Sequence, residues 1–195
     1  MNFLIEGKRV IIRQLELGDE ELLHKWRNNQ EGNLYCGFQY GFLLSEEAFR
    51  LKVKKQVENT DVFPNEKTFI ILKKEDLKPI GDISYRNWDK RNRSAEFGIE
   101  IGEINERGKG FGFDALSHFL EFMFNHLNLN RIELTTLADN EKSIKLYKKL
   151  GFKEIGLMRE SSFDSRTGQY SDVLYMDLLK KEWSLIDAET DTRRV

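Results

Sequence analysis

The sequence contains a single cysteine, Cys36, among 195 residues. An intramolecular disulfide and a cysteine-rich metal site are therefore excluded. No apolar run approaches the length of a membrane span, and the N-terminus lacks the apolar region of a signal peptide. A large charge of one sign is also missing, because 31 basic and 33 acidic residues give a formal net charge of −2. General nucleic-acid binding then has no electrostatic basis, and we expect a cytoplasmic protein with no membrane or nucleic-acid partner.

The length and the apolar content bound the domain organisation. Apolar residues make up 39% of the chain and include 14 phenylalanines and three tryptophans. A chain of this size buries a real core in one domain. The final residues are polar, so we predict one domain over 1–184 and a polar tail over 185–195.

A glycine-rich turn follows an apolar strand in the middle of the chain. The strand-like run ends near Ile101, the segment 107–112 reads Arg-Gly-Lys-Gly-Phe-Gly, and helical periodicity follows over 113–124. Glycine lets the backbone approach a ligand closely, and the free N–H groups of a first helical turn point toward an anion. Arg107 and Lys109 add positive charge. The turn predicts a phosphate or pyrophosphate ligand, with a mere tight connection as the alternative.

Two familiar phosphate-binding motifs do not fit this turn. A Walker A loop ends in Gly-Lys-Ser/Thr, but here Lys109 is followed by Gly110. A dinucleotide fingerprint requires G-x-G-x-x-G, and Phe113 occupies the place of its third glycine. The pattern that remains is Arg-x-x-Gly-x-Gly, formed by Arg107, Gly110 and Gly112.

A second patterned block begins about thirty residues further along the chain. Residues 131–137 read as a strand, Asn140 is a good helix N-cap, and Gly151 is a typical helix stop. Apolar side chains recur at helical spacing between these two residues, at Ile144, Leu146, Tyr147 and Leu150. The block predicts a strand followed by a capped helix.

Together the two blocks resemble the Gcn5-related N-acetyltransferases (GNAT). The resemblance rests on the glycine turn at 107–112 and on Asn140, Ser143 and the segment 147–152, which reads Tyr-Lys-Lys-Leu-Gly-Phe; their order and spacing match. The segment 8–13 looks like the opening strand of that family. Two further segments, 93–99 and 168–176, look like strands of its RimJ/RimL branch, which includes ribosomal-protein and polyamine acetyltransferases.

The resemblance implies an α/β (α+β) GNAT fold, with a mixed, mostly antiparallel sheet, splayed central parallel strands and helices on both faces. The sequence pattern points to the same architecture, because short loops join strands over 67–102 and a strand–helix–strand crossover spans 94–137. The predicted strands are 8–13, 67–74, 79–87, 94–102, 130–137, 152–163 and 169–178, and the predicted helices are 18–29, 45–58, 111–126 and 140–150.

The resemblance also implies acetyl-CoA as cosubstrate and assigns residues to it. In the family the pantetheine arm lies between the splayed strands and pairs like a strand, which would use backbone groups of Ile99 and Ile101. Asn140 would hydrogen-bond this arm, and Ser143 belongs to the same motif. Lys145 would reach phosphate oxygens, unless it is a solvated lysine. The pyrophosphate would be cradled by Arg107, Gly108, Lys109, Gly110, Phe111 and Gly112.

Direct acetyl transfer to an amine requires a proton acceptor. A lysine-like amine has a pKa of about 10 and an α-amino group one of about 8, so the attacking amine must lose a proton. Glu96 and Glu100 are the candidates, and their spacing puts both on one face of a strand. A salt-bridged structural role with arginines such as Arg93 is the alternative for each.

The reaction also needs a donor to the oxyanion and a proton for the departing thiolate. A backbone N–H near Ile101 would serve the oxyanion. Tyr147 stands where the family often places a phenol near the sulfur, and a phenol with a pKa near 10 can protonate a thiolate. The alternative for Tyr147 is a core aromatic beneath the turn at Gly151.

The acceptor amine has no dedicated motif. Polyamine enzymes of this branch carry acidic residues in the first inter-helix connection, because a polycation needs countercharge. Residues 35–42 contain no acid. We therefore expect a protein N-terminus or a related RimJ/RimL-type acceptor, with an aminosugar, polyamine or aminoglycoside as the alternative. A non-catalytic acetyl-CoA-binding module is the alternative from another class.

The first inter-helix connection also contains four aromatic side chains, which either line the acceptor pocket or pack in the core. They are Tyr35, Phe38, Tyr40 and Phe42.

The remaining reactive side chains predict no further chemistry. His24, His118 and His126 lack metal-ligand spacing, so we expect no metal. Cys36 is not expected to be a nucleophile, because the family transfers acetyl directly. A homodimer is left open.

Overall fold

The computed structural model describes residues 3–29, 31, 44–164 and 167–183. Within them, eight strands form one sheet in the order β1-β2-β3-β4-β5-β6-β8-β7. The strands are β1 (Phe3–Glu6), β2 (Val10–Gln14), β3 (Lys67–Lys73), β4 (Pro79–Asp89), β5 (Ser94–Ile101), β6 (Arg131–Leu137), β7 (Lys153–Asp164) and β8 (Gln169–Leu179). The helices are α1 (Glu20–Arg27), α2 (Glu46–Val57), α3 (Phe111–Glu121) and α4 (Glu141–Lys149), with short 3-10 and π segments at Ile104–Glu106 and Phe122–His126.

The sheet topology confirms the predicted mixed architecture. Strands β1 to β5 pair antiparallel in chain order, and β6, β8 and β7 also pair antiparallel. The β5–β6 pair is parallel because α3 carries the chain back to the same end of the sheet between the two strands. This crossover puts the C-terminal end of β5 beside the N-terminal end of α3.

Alternation along the strands explains why helices cover both faces. On β2, Val10 and Ile12 face the core beneath α3, whereas Ile11 packs with buried residues of α1 and α2. Successive side chains of a strand point to opposite faces, so an all-apolar strand needs cover on both sides. The larger core lies under α3, and the smaller core holds Trp26 of α1 and Phe49 of α2.

Two predicted elements differ from the structure. The strand predicted at 8–13 is shortened to β2, and a further strand, β1, precedes it across a tight turn in which the Gly7 N–H donates to the Val10 carbonyl at 2.9 Å. The helix predicted at 111–126 is α-helical only to Glu121 and continues as a π segment. The π segment is only five residues long, which is too short for apolar periodicity to distinguish it from the end of an α-helix.

Several predictions fall on parts of the chain outside the described residues. Cys36, the aromatic residues between 35 and 42, and the tail over 185–195 all lie there, so the single-domain boundary at 184 stays a prediction. Among the described helices, none is long and apolar enough to cross a membrane.

Candidate active site

The parallel strands separate at the centre of the sheet. The β5–β6 ladder joins residues 94–96 to residues 131–133 and ends at the pair Glu96 and Glu133. Beyond it, β5 continues to Ile101 paired with β4, and β6 continues to Leu137 paired with β8. Two strand edges therefore face each other across a gap. Such edges offer backbone N–H and C=O groups to an extended ligand.

The glycine turn closes one end of this gap. Gly108 and Gly110 have φ values of 75° and 88°, in the left-handed region that favours glycine. Gly110 is the N-cap of α3, and no side chain caps this helix. The N–H groups of the first turn of α3 are thus available to an anion, which the helix dipole also favours. This geometry agrees with the predicted phosphate or pyrophosphate site.

The other side chains of the turn are engaged with the protein. The Arg107 guanidinium turns back toward β5, where its Nε donates to the Ile101 carbonyl at 2.6 Å and its Nη2 lies 3.4 Å from Glu100 Oε1. Lys109 Nζ is 3.1 Å from Glu106 Oε2. Phe111 is buried, and a Cβ added at Gly112 would lie 3.8 Å from the Ile101 side chain and 4.0 Å from that of Leu146. The predicted pyrophosphate contacts of these residues stay predictions.

Helix α4 begins at the predicted cap. The Asn140 side chain accepts from the Ser143 N–H at 3.3 Å, and its Nδ2 is 3.4 Å from Thr136 Oγ1 on β6. Asn140 therefore joins α4 to the β6 side of the gap. Lys145 pairs with Glu141 at 3.0 Å on the exposed face of α4, as a solvated lysine would. The cofactor contacts of Asn140, Ser143 and Lys145 stay predictions.

Tyr147 lies at the edge of the gap. Its ring is half-buried and meets Phe97 edge-on, with ring centroids 5.7 Å apart, and it also contacts Phe152 at 6.1 Å. Phe97 is the first residue of β5 beyond the parallel ladder. The ring of Tyr147 packs against the core while part of it stays accessible, and both roles considered for it stay predictions.

Glu96 and Glu100 lie on the opposite face of β5 from Phe97. Glu96 is paired with Arg86, and its carboxylate accepts from Asn87 at 3.2 Å and from Thr135 of β6 at 3.5 Å. Its place at the end of the ladder puts it beside the gap. Its arginine partner is Arg86, which corrects the expectation of a pairing with Arg93.

Glu100 belongs to a charge cluster that the sequence analysis did not identify. Arg27 of α1 pairs with both Glu100 and Asp82 of β4, the latter at 2.8 Å, and Arg107 approaches Glu100 from the glycine turn. Asp82 is 2% exposed, and a buried carboxylate needs a cationic partner. In the sequence the corresponding signal is a carboxylate inside the apolar strand segment 80–85, although its partner is 55 residues away in the chain.

A proton acceptor and a proton donor therefore have candidates on opposite faces of β5. The carboxylates lie on the face covered by α1 and α2, and Tyr147 lies on the face covered by α3 and α4. A ligand that occupies the gap can be reached from both faces. The roles of proton acceptor and proton donor stay predictions for these residues.

Comparison with known proteins identifies the family. The model of the Acetyltransferase (GNAT) domain matches residues 9–153, most of the chain. The chain belongs to the GNAT family. The GNAT fold expected from the resemblance is thereby confirmed, and the protein is an acetyl-CoA-dependent N-acetyltransferase.

Three matches show which acetyltransferases this GNAT enzyme is similar to. The spermidine N(1)-acetyltransferase of Vibrio cholerae is 29% identical over 177 residues, which cover 91% of this chain and 96% of the relative. The crystal structure of spermidine N-acetyltransferase from Vibrio cholerae in complex with CoA and spermine matches with a TM-score of 0.80 and 28% identity, over 91% of this chain and 99% of that one. The Bacillus subtilis protein named "Putative ribosomal N-acetyltransferase YdaF" is 37% identical over 103 residues, 53% of this chain and 55% of the relative.

The residues of this GNAT enzyme fit CoA. A pantetheine arm needs strand-like hydrogen-bonding partners, and the gap between β5 and β6 offers two open strand edges. A pyrophosphate needs N–H donors, and the uncapped first turn of α3 supplies them. Both features adjoin the C-terminal end of β5.

Proposed function

We propose that this enzyme transfers the acetyl group directly from acetyl-CoA to the primary amine of a protein N-terminus or a related RimJ/RimL-type acceptor. The observation that carries the transfer is the gap between β5 and β6 with the glycine turn at its end. The gap suits an extended ligand, and the glycine turn suits an anion. CoA has both parts in one molecule, because its pantetheine arm is extended and its pyrophosphate is anionic.

The cosubstrate contacts follow from this placement. The first turn of α3 and the glycine turn hold the pyrophosphate, and the edge of β5 near Ile99 and Ile101 pairs with the pantetheine arm. Asn140 donates its amide N–H to that arm while its oxygen caps α4. The bound thioester supplies an electrophilic carbonyl next to the backbone of β5, where an N–H near Ile101 stabilises the oxyanion.

The proton transfers are assigned to the two faces of β5. Glu96 accepts the proton of the acceptor amine, directly or through water, because it lies at the point where the gap opens. Glu100 forms ion pairs with Arg27 and Arg107. We therefore assign it a structural role and not that of the proton acceptor. Tyr147 donates its phenolic proton to the departing thiolate. No metal takes part in this scheme.

The choice of acceptor rests on charge. On the α1 face of the sheet, Asp82 and Glu100 are matched by Arg27 and Arg107, so this cluster carries no net negative charge. Residues 35–42 add no acid. A polycation gains little from such surroundings, whereas an acceptor with a single amine needs no excess of acid.

A polyamine is the second candidate. The likeness to the Vibrio cholerae spermidine acetyltransferase favours it, because that likeness extends over nearly the whole of both chains. In this alternative, the reacting amine of the polyamine enters the gap, and the molecule carries one or two further ammonium groups.

Thiol release from acetyl-CoA with a panel of amines tests the proposal. The panel contains N-terminal peptides, spermidine and spermine, aminosugars and aminoglycosides. We expect the highest kcat/KM with an N-terminal peptide. A preference for spermidine would replace the first acceptor by the second, and no release with any amine would favour a non-catalytic acetyl-CoA-binding module. The cytoplasmic location and the homodimer stay predictions, the latter to be tested by sedimentation.

A further inference from the structure

A basic pocket adjoins the glycine turn on the side away from α4. Its volume is about 300 Å³, and its lining comes from the turn before β2, the end of β3 with the two residues after it, and the first residue of α3. The lining residues are Lys8, Arg9, Lys73, Lys74, Glu75 and Phe111. The lining thus holds four cationic side chains and one carboxylate.

The cations of the basic pocket are not equally compensated. Lys73 pairs with Asp76 at 3.1 Å, and Lys74 pairs with Glu6 at 2.7 Å. The Arg9 guanidinium donates to the backbone carbonyl oxygen of Lys109. This acceptor carries no charge, so it does not compensate the charge of Arg9. Lys8 has no acidic partner within the part of the chain that the structure describes. Lys8 and Arg9 therefore supply positive charge that an anion could neutralise.

The pocket is held rigidly against the turn that precedes α3. The Arg9 guanidinium lies 4.4 Å over the Phe111 ring, a cation–π contact. The carboxylate of Asp114, which is 7% exposed, accepts the N–H groups of Lys8 at 3.2 Å, Arg9 at 2.7 Å and Val10 at 3.1 Å. These bonds fasten the segment 8–10 to the first turn of α3. Hydrogen bonds and a cation–π contact thus connect the segment that lines the pocket to the helix that follows the glycine turn.

We propose that the basic pocket binds a phosphate monoester, the 3′-phosphate of CoA, while the glycine turn binds the pyrophosphate. The proposal rests on the proposed function. In CoA a single ribose separates these two groups, and the pocket adjoins the turn directly. A phosphate monoester carries close to two negative charges at neutral pH, which suits the uncompensated charge of Lys8 and Arg9. Glu75 opposes the anion, but the uncompensated charges of Lys8 and Arg9 outnumber that one carboxylate.

The test compares CoA with 3′-dephospho-CoA, which lacks only the group in question. Calorimetry on the wild type should give tighter binding of CoA by about tenfold, the strength of a charge-assisted contact. Lys8→Ala should reduce this preference by about three- to tenfold and leave the affinity for 3′-dephospho-CoA unchanged. Lys52→Ala is the matched control, because it removes an exposed lysine from α2 on the other face of the sheet.

The remaining outcomes separate this proposal from its alternatives. Equal binding of the two ligands by the wild type would overturn the pocket assignment and leave the acetyltransferase proposal standing, whereas binding of neither would overturn both. A loss of preference in Lys145→Ala and not in Lys8→Ala would place the 3′-phosphate on α4 instead. Inorganic phosphate that binds to the wild type together with CoA would assign the pocket to a free anion and overturn the 3′-phosphate.

Discussion

At the scale of single residues, the phenol of Tyr147 is the group whose two roles can be separated most cleanly. Tyr147→Phe keeps the ring and its contacts with Phe97 and Phe152 but removes the O–H. If the phenol protonates the thiolate, turnover should fall by about 10²-fold. Acetyl-CoA affinity should change little, because the pyrophosphate and pantetheine contacts lie elsewhere. Rapid kinetics that isolate the chemical step, together with calorimetry, make this measurement.

The matched control for this change is Tyr170→Phe, since Tyr170 is exposed on β8. Its turnover should equal that of the wild type. An unchanged chemical rate in Tyr147→Phe would remove the acid role and leave the ring as core packing.

The two glutamates of β5 should respond differently to removal of their charge. Glu96→Gln should lower turnover by about 10²-fold with little loss of stability, because the pairing of Glu96 is with the exposed Arg86. Glu100→Gln should lower the free energy of unfolding by about 1–3 kcal/mol, because it leaves Arg27 and Arg107 with one carboxylate fewer in a partly buried cluster. Turnover and urea unfolding of both variants check this. The reversed pattern would make Glu100 the proton acceptor.

At the scale of the elements, the glycine turn should be separable from the fold. Gly110→Asp puts a carboxylate against the pyrophosphate site and brings a Cβ to about 3.3 Å from the Arg9 guanidinium. We expect the affinity for CoA to fall by at least about tenfold, since one opposed charge costs about 1.4 kcal/mol or more there. Gly168→Asp is the control, because Gly168 also has a positive φ, of 72°, but lies in the turn before β8. Wild-type CoA affinity in a folded Gly110→Asp variant would exclude the turn from the site.

The contact between α1 and the end of β5 should depend on pH. Hydrogen bonds from Lys25 and Trp26 lower the pKa of Glu103 below its ordinary 4.5, against the smaller opposing effect of burial. A lowered pKa in the folded state means that the unfolded state binds the proton more tightly. The stabilisation is therefore complete above the ordinary pKa and is lost as the pH falls through the folded-state pKa.

Unfolding by urea at about pH 6 and about pH 3.5 measures this dependence. Other carboxylates titrate in the same range, so the informative quantity is the difference between the wild type and Glu103→Gln. The variant should lose less stability on acidification. Identical losses in both proteins would mean that Glu103 contributes nothing to the acid sensitivity.

At the scale of the whole molecule, acetyl-CoA should stabilise the fold. The gap, the glycine turn and α4 approach one another only in the folded chain, so the ligand binds the folded state alone. At about 100 times its Kd the ligand should add about 2.7 kcal/mol to the free energy of unfolding. Thermal melting with acetyl-CoA, ATP and NAD makes the comparison. A shift with ATP or NAD and none with acetyl-CoA would contradict the assignment of the site.

Local patterns were sufficient to predict most of the elements. The glycine turn, the Asn140 cap and the alternating apolar strands act over a few residues, so their structural consequences are visible in the sequence. The parallel crossover also follows locally, because a helix between two strands returns the chain to the same end of the sheet. For these reasons the order of the strands and helices from β3 onward was predicted with small differences at their ends, and the two central blocks sufficed to suggest the family.

Only the tertiary structure decided which charges meet. Asp82 and Glu100 share a partner on α1, Arg27, which is 55 and 73 residues away in the chain, and the carboxylate of Asp114 accepts from a turn more than 100 residues before it. No local pattern encodes such pairs, because a buried carboxylate requires a compensating donor but does not specify where in the chain that donor lies. The sequence by itself determined the turn that suits a pyrophosphate, whereas the folded sheet determined that the basic pocket lies beside it.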